Sequence, residues 1–131
     1  MPELLFNPND VVIDPADGDT FVAESHRGGM NNRIVHYSSE GRFINQWGSK
    51  GSGQGELSEP HSIAMDSQGR LFVGDRENNR IQIFSQEGAF INGWTVRSPS
   101  YSMKESFPLH RSPNFYVLIR LLKNGFRVKV Q

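Results

Sequence analysis

Gly41-Arg42-Phe43-Ile44-Asn45-Gln46-Trp47 and Gly88-Ala89-Phe90-Ile91-Asn92-Gly93-Trp94 are one pattern written twice, 47 residues apart. Moving outward, Asn32-Arg33-Ile34 recurs as Asn79-Arg80-Ile81 at the same spacing. Phe21-Val22-Ala23-Glu24 recurs as Phe72-Val73-Gly74-Asp75 at a spacing of 51, and Pro8-Asn9-Asp10 as Pro60-His61-Ser62 at 52. The spacing falls from 51 to 47 across Ser25–Asn31, which predicts about four extra residues in a loop of the first copy. A period in this range is that of propeller blades.

Each copy reads as four short strands. The first copy gives Asp10–Asp14, Thr20–Glu24, Arg33–Ser38 and Phe43–Trp47; the second gives Ser62–Asp66, Leu71–Asp75, Arg80–Ser85 and Phe90–Thr95. These segments are rich in β-branched and aromatic residues, often in alternation. Between them lie Asp17-Gly18-Asp19, Ser39-Glu40-Gly41, Ser67-Gln68-Gly69 and Gln86-Glu87-Gly88. Glycine there supplies the positive φ of a tight turn, and the Asp and Ser side chains bond nearby backbone. Asn31-Asn32 and Asn78-Asn79 suit turns for a related reason, because asparagine tolerates the left-handed region. Four-stranded units at this period predict an all-β fold, a β-propeller fragment of about two blades.

The repeat covers residues 1–96, with blade one over about 6–48 and blade two over about 57–96. Charge marks the same boundary. The whole chain of 131 residues balances 14 basic against 14 acidic side chains. Residues 1–96 nevertheless hold 7 basic and 13 acidic residues, net −6, and residues 97–131 hold 7 and 1, net +6. Of the 13 glycines, 12 precede Arg97. Residues 97–131 are therefore read as a basic tail outside the repeat, expected to be poorly ordered. Its charges are too loosely clustered to predict nucleic-acid or membrane binding.

Other classes are excluded quickly. Cysteine is absent, so there is no disulfide framework, thiolate metal site or cysteine nucleophile. No apolar run approaches the roughly 20 residues of a membrane span. Met1–Asn7 lacks the basic and apolar parts of an export signal. Gly48–Gly55 is glycine-rich but lacks the Gly-Lys-Ser/Thr of a phosphate loop, and reads as a linker between blades. Arg33 and Arg80, Trp47 and Trp94, and Asp14 and Asp66 recur at equivalent positions. Recurrence favours structural roles: Trp in packing between blades, Asp in turns.

Asn-Arg-Ile, the Gly-x-Phe-x-x-x-Trp run and Pro60-His61-Ser62-Ile63-Ala64-Met65-Asp66 resemble NHL repeats. Together with Phe72-Val73-Gly74-Asp75-Arg76-Glu77-Asn78-Asn79-Arg80-Ile81-Gln82, they resemble the peptidyl-α-hydroxyglycine α-amidating lyase family. The resemblance covers roughly residues 6–96. It implies a six-bladed propeller in the complete family fold, a peptide-type substrate, zinc-dependent C–N cleavage, and a secreted or periplasmic parent. A blade buries its apolar faces only against neighbours. Two blades are thus expected to be a fragment, inactive alone and prone to self-association through open blade edges. The alternative is a non-catalytic propeller that presents loops to a protein or RNA partner.

Three residues carry the candidate chemistry. His61 follows a proline at the start of an inner strand, where imidazoles from several blades can converge on one metal; the resemblance implies that it ligates zinc. Arg76 follows Asp75 at a strand end, and the resemblance implies an active-site role. Its guanidinium can take a substrate carboxylate in two hydrogen bonds, or else pair with Asp75 or Glu77. His26 stands where the lyase family has a catalytic tyrosine. Histidine can act as a general base, but this departure weakens the case for lyase chemistry.

Overall fold

A computed structural model of the chain describes residues 4–26 and 30–95. They form two antiparallel four-stranded sheets with strand orders β1-β2-β3-β4 and β5-β6-β7-β8. Blade one comprises β1 (Pro8–Ile13), β2 (Thr20–His26), β3 (Met30–Tyr37) and β4 (Phe43–Trp47). Blade two comprises β5 (Pro60–Met65), β6 (Leu71–Asp75), β7 (Arg80–Phe84) and β8 (Phe90–Thr95), with one 3-10 turn at Arg76–Asn78. Each sheet is an up-and-down meander, so the expected all-β blade architecture is what the chain adopts.

The turn chemistry explains the strand ends. Gly18, Gly41, Gly69 and Gly88, one in each β1–β2, β3–β4, β5–β6 and β7–β8 hairpin, take φ between +78° and +90°. Asn31 and Asn79 also take positive φ, +57° and +49°. Asp14 and Asp66 turn the chain as expected: Asp14 Oδ1 accepts the Ala16 N–H at 2.8 Å, and Asp66 Oδ1 accepts the Gln68 N–H at 2.9 Å. The β2–β3 pairing runs beyond its blade-two counterpart, with His26 paired to Met30 past a bulge after Glu24. Continued pairing satisfies backbone groups that an open loop would leave to water. Arg27, Gly28 and Gly29, and the basic tail 97–131, lie outside the described residues.

The two blades pack face to face. Phe21, Ala23 and Ile34 of blade one meet Leu57, Ile63, Met65, Leu71, Val73 and Phe84, and Val12, Trp47 and Phe90 close the rim. Burying each large side chain of this kind contributes about 1.5–3 kcal/mol before ordering costs. Trp47 spans the interface, 6.5 Å from the Phe21 ring and 6.0 Å from that of Phe84. It thus packs between blades as expected, whereas Trp94 stacks on Phe72 of its own blade.

Polar clips fix the relative position of the blades. Asn9 Nδ2 donates to the Pro60 carbonyl at 2.9 Å, and the Ile63 N–H to Asp10 Oδ2 at 3.0 Å. The Glu59 N–H donates to Asn32 Oδ1 at 2.8 Å, and Gln86 Nε2 to Asp14 Oδ2 at 2.8 Å. At the outer strands, Asn45 Nδ2 donates to the Glu87 carbonyl at 3.1 Å.

The repeated arginines are structural. Arg33 Nε binds Glu24 Oε2 at 2.6 Å, and its Nη2 donates to the Leu4 carbonyl at 2.7 Å. Arg80 Nε binds Asp75 Oδ2 at 2.7 Å, and its fork donates to the carbonyls of Ser52, Gly53 and Glu56. In each blade the same guanidinium thus ties the incoming chain to a buried carboxylate. The glycine-rich segment is an anchored linker, consistent with its reading as a connector.

Candidate functional site at one end of the inner strands

β1 and β5 run side by side where the blades approach. The pairings Pro8↔Glu24 and Pro60↔Asp75 are each followed by a register shift before the next pair, Asp10↔Ala23 and Ser62↔Gly74. One residue is left over in each inner strand: Asn9 in β1 and His61 in β5. A bulge of this kind re-aims a side chain at a strand end. The same pairings put Ser25 and His26 at that end of blade one and Arg76 at that end of blade two. The structure therefore brings His26, His61 and Arg76 to one end of the inner strands.

Their environments differ. His61 is half-buried, and its Nδ1 is enclosed without a hydrogen-bond partner. Asn9, in the equivalent bulge, is engaged through its amide nitrogen: Nδ2 donates to Ser25 Oγ at 2.8 Å as well as to the Pro60 carbonyl. Arg76 is exposed, and no ion pair or side-chain hydrogen bond of its guanidinium occurs among the described residues. Its backbone holds the turn, with the N–H donating to the Glu59 carbonyl at 3.3 Å. The pairing of Arg76 with Asp75 does not form. Asp75 is taken by Arg80, by Asn78 Nδ2 at 2.8 Å and by the Ser58 N–H at 2.7 Å. Gln82 Nε2, at 3.4 Å, is a fourth donor, and with about four acceptor sites filled the buried carboxylate has none left for its sequence neighbour. The backbone of His26 is placed at the end of β2, and its side chain lies outside the described part.

Sequence reasoning did not single out Ser62. Ser62 Oγ is fully buried and lacks a partner, and Ser25 holds Asn9. The usable signal was the alignment of Ser62 with Asp10, which lies directly after the bulge in blade one.

A catalytic zinc takes three protein ligands and keeps one open position. His61, with its enclosed and unpartnered nitrogen, suits one ligand. No group of three or more His, Asp or Glu side chains that could hold a metal exists among the described residues. The residues present do not make a complete zinc site. An open pocket of about 420 Å³ lies elsewhere on blade two, lined by Gln82, Phe90 and Trp94 among others, and includes neither His61 nor Arg76.

The fold defines two four-stranded antiparallel blades of β-propeller type. Residues 57–84 match the family model of the NHL repeat. The chain is 44% identical over 75 residues to peptidyl-glycine alpha-amidating monooxygenase of Mus musculus, a match covering 53% of this chain and 7% of that protein. It is 34% identical over 70 residues to NHL repeat-containing protein 3 of Homo sapiens, covering 53% and 20%. Among solved structures it is similar to the propeller-type protein U3-55K, with TM-score 0.55 and 25% identity, covering 70% of this chain and 27% of that one. The chain spans a small part of the length of each of these proteins.

Proposed function

We propose that these blades serve a larger amidating-lyase-like propeller as part of its substrate end. Arg76 receives the carboxylate of a peptide-type substrate, and His61 supplies one imidazole to a zinc centre completed by residues outside this blade pair. Bound there, zinc would polarise the reacting oxygen in C–N cleavage. The observation that carries the reading is the shared strand end. The Pro60↔Asp75 pairing sets His61 and Arg76 at one mouth, one with an unpartnered nitrogen and the other with an uncommitted guanidinium. An exposed arginine with no internal carboxylate is available for bidentate carboxylate binding. By itself the chain does not turn over substrate, because one imidazole does not make the metal site.

The test is a titration of the purified chain with a peptide bearing a free C-terminal carboxylate, followed by NMR, and a parallel titration with zinc. Weak peptide binding lost in Arg76→Ala, and weak one-to-one zinc binding lost in His61→Ala, are expected. Peptide binding unchanged by Arg76→Ala would overturn the substrate assignment. Absence of zinc binding would favour the non-catalytic scaffold. Cleavage of an α-hydroxyglycine peptide by the chain alone would overturn the incomplete site.

A further inference from the structure

Two Asn-Gly pairs occur in the sequence, Asn92-Gly93 and Asn124-Gly125, and the second lies outside the described residues. Asn-Gly is the usual sequence of a tight hairpin turn, yet Asn92-Gly93 lies inside strand β8. Its place in the repeat is that of Asn45-Gln46 in β4. The chain thus carries the same asparagine on two equivalent strands, followed once by glycine and once by a residue with a side chain.

The two asparagines are held differently. Asn45 is half-buried, and its Nδ2 donates to the Glu87 carbonyl of the other blade at 3.1 Å. Asn92 is exposed, and its amide turns back on the main chain: the Gly93 N–H donates to Asn92 Oδ1 at 2.8 Å. That side chain makes no other hydrogen bond among the described residues. A carbonyl bond is about 1.2 Å long, so Asn92 Cγ lies within about 4 Å of the Gly93 nitrogen. Among the described residues β8 pairs with β7 alone, and a glycine inside a strand weakens it.

We propose that Asn92 is a site of spontaneous deamidation, with the Gly93 nitrogen as the attacking group. That nitrogen gives up its proton to solvent base and attacks Asn92 Cγ. The N–Cγ bond forms, the Cγ–Nδ2 bond breaks, and Nδ2 takes up a proton and leaves as ammonia. The product is a five-membered cyclic imide, which water opens at one of its two carbonyls. Opening at Cγ gives aspartate. Opening at the main-chain carbonyl gives isoaspartate, in which the backbone runs through the former side chain. Water is the only co-reactant, and nothing is oxidised or reduced. Glycine suits the step because it has no Cβ to obstruct the approach and the widest choice of backbone angles. The ring draws Asn92 out of extended backbone, so closure follows local opening of β8 from β7. Asn45 meets neither condition, since its amide is committed to the other blade and Gln46 follows it. Isoaspartate also adds a methylene to the backbone, which shifts Trp94 from its pairing with Ile81. This inference does not depend on the zinc or carboxylate reading above.

The test ages the full chain at neutral and at mildly alkaline pH, with an unaged sample digested alongside as the baseline. Mass spectrometry with peptide fragmentation keeps Asn92, Asn45 and Asn124 apart. The Asn92 peptide should gain the mass of an amide-to-acid exchange at least about tenfold faster than the Asn45 peptide, because only Asn92 is placed for attack. Both aspartate and isoaspartate should appear, and faster at the higher pH, since the attacking nitrogen must lose its proton. Hydrogen exchange of the Trp94 amide should be faster in the isoaspartate form. Gly93→Ala should slow the reaction by at least about tenfold. Its Cβ would lie 3.1 Å from the Ile81 carbonyl, so the comparison of Asn92 with Asn45 in the parent chain decides if that variant does not fold. Equal rates at Asn92 and Asn45, aspartate without isoaspartate, or a folded Gly93→Ala chain modified as fast as the parent would each overturn the proposal. Unchanged exchange at Trp94 would overturn the shift in pairing.

Discussion

The Trp47 indole lies directly against Gly88, the turn glycine of the other blade: a Cβ on Gly88 would fall 2.8 Å from the ring. The β7–β8 hairpin of blade two is thereby seated on the last strand of blade one, and the glycine serves two demands together. Its φ of +90° disfavours any other residue, and its missing side chain makes room for the indole.

Gly88→Ala should therefore destabilise the blade pair by about 1–3 kcal/mol, through backbone strain and overpacking combined. Urea denaturation measures it. Adding Trp47→Ala removes the steric part, so the double variant should lose less than the sum of the single variants. Simple additivity would show that Trp47 and Gly88 do not act on one another.

Glu24 and Asp75 are fully buried carboxylates, each held by the arginine of its own blade. Removing one partner of such a pair leaves an uncompensated buried charge, a loss of about 3–5 kcal/mol. Arg33→Ala and Arg80→Ala should both fall in that range. Each also releases the chain entering its blade, through the Leu4 carbonyl or the Ser52, Gly53 and Glu56 carbonyls. Hydrogen exchange of the linker amides should rise in Arg80→Ala more than in Arg33→Ala. Equal stability of either variant and the parent chain would contradict the structural assignment of the repeated arginines.

The fold was legible because a repeat encodes it twice. Gly41 and Gly88, Phe43 and Phe90, and Trp47 and Trp94 mark the same hairpin and strand in both copies, and local turn chemistry agrees with the strand pattern. The clips between blades were not legible. Asn9 reads only as the counterpart of His61 until β1 and β5 are seen side by side, and Asp75 reads as a partner for Arg76 until the register brings Arg80 to it. Side-chain pairing across strands depends on register, which adjacency in sequence does not reveal. At the site, alignment located His61 and Arg76, and pairing of Pro60 with Asp75 placed them at one end. No group able to hold a metal forms among the described residues.

Leu57 and Leu5 make a matched pair of probes. Leu57 is fully buried beneath blade one, with its Cδ1 close to Gly48, whereas Leu5, in the repeat-equivalent place, is 37% exposed. Leu57→Ala should cost about 2–5 kcal/mol, the lost transfer energy plus that of the cavity left behind. Leu5→Ala, on a surface site, should change stability by no more than about 0.5 kcal/mol. Thermal unfolding makes the comparison. A large loss in Leu5→Ala would contradict its assignment as a surface site.

Asp10 is the most informative of the inter-blade clips, because its repeat partner is a serine. Its Oδ2 accepts the Ile63 N–H in the middle of a strand that blade one must hold. Asp10→Ala removes that acceptor and leaves a donor at the interface unsatisfied, at a cost of about 1–3 kcal/mol. The effect should be local before it is global. Ile63 itself should exchange its amide proton faster, while the hairpin turns at Gly18 and Gly69 keep their protection. Asp10→Ser, which gives blade one the residue that blade two carries, should retain only part of the clip, since a hydroxyl is a weaker acceptor on a shorter arm. If Asp10→Ser restores full protection at Ile63, a serine suffices at this position, and the buried Ser62 hydroxyl is equally competent to hold a following strand.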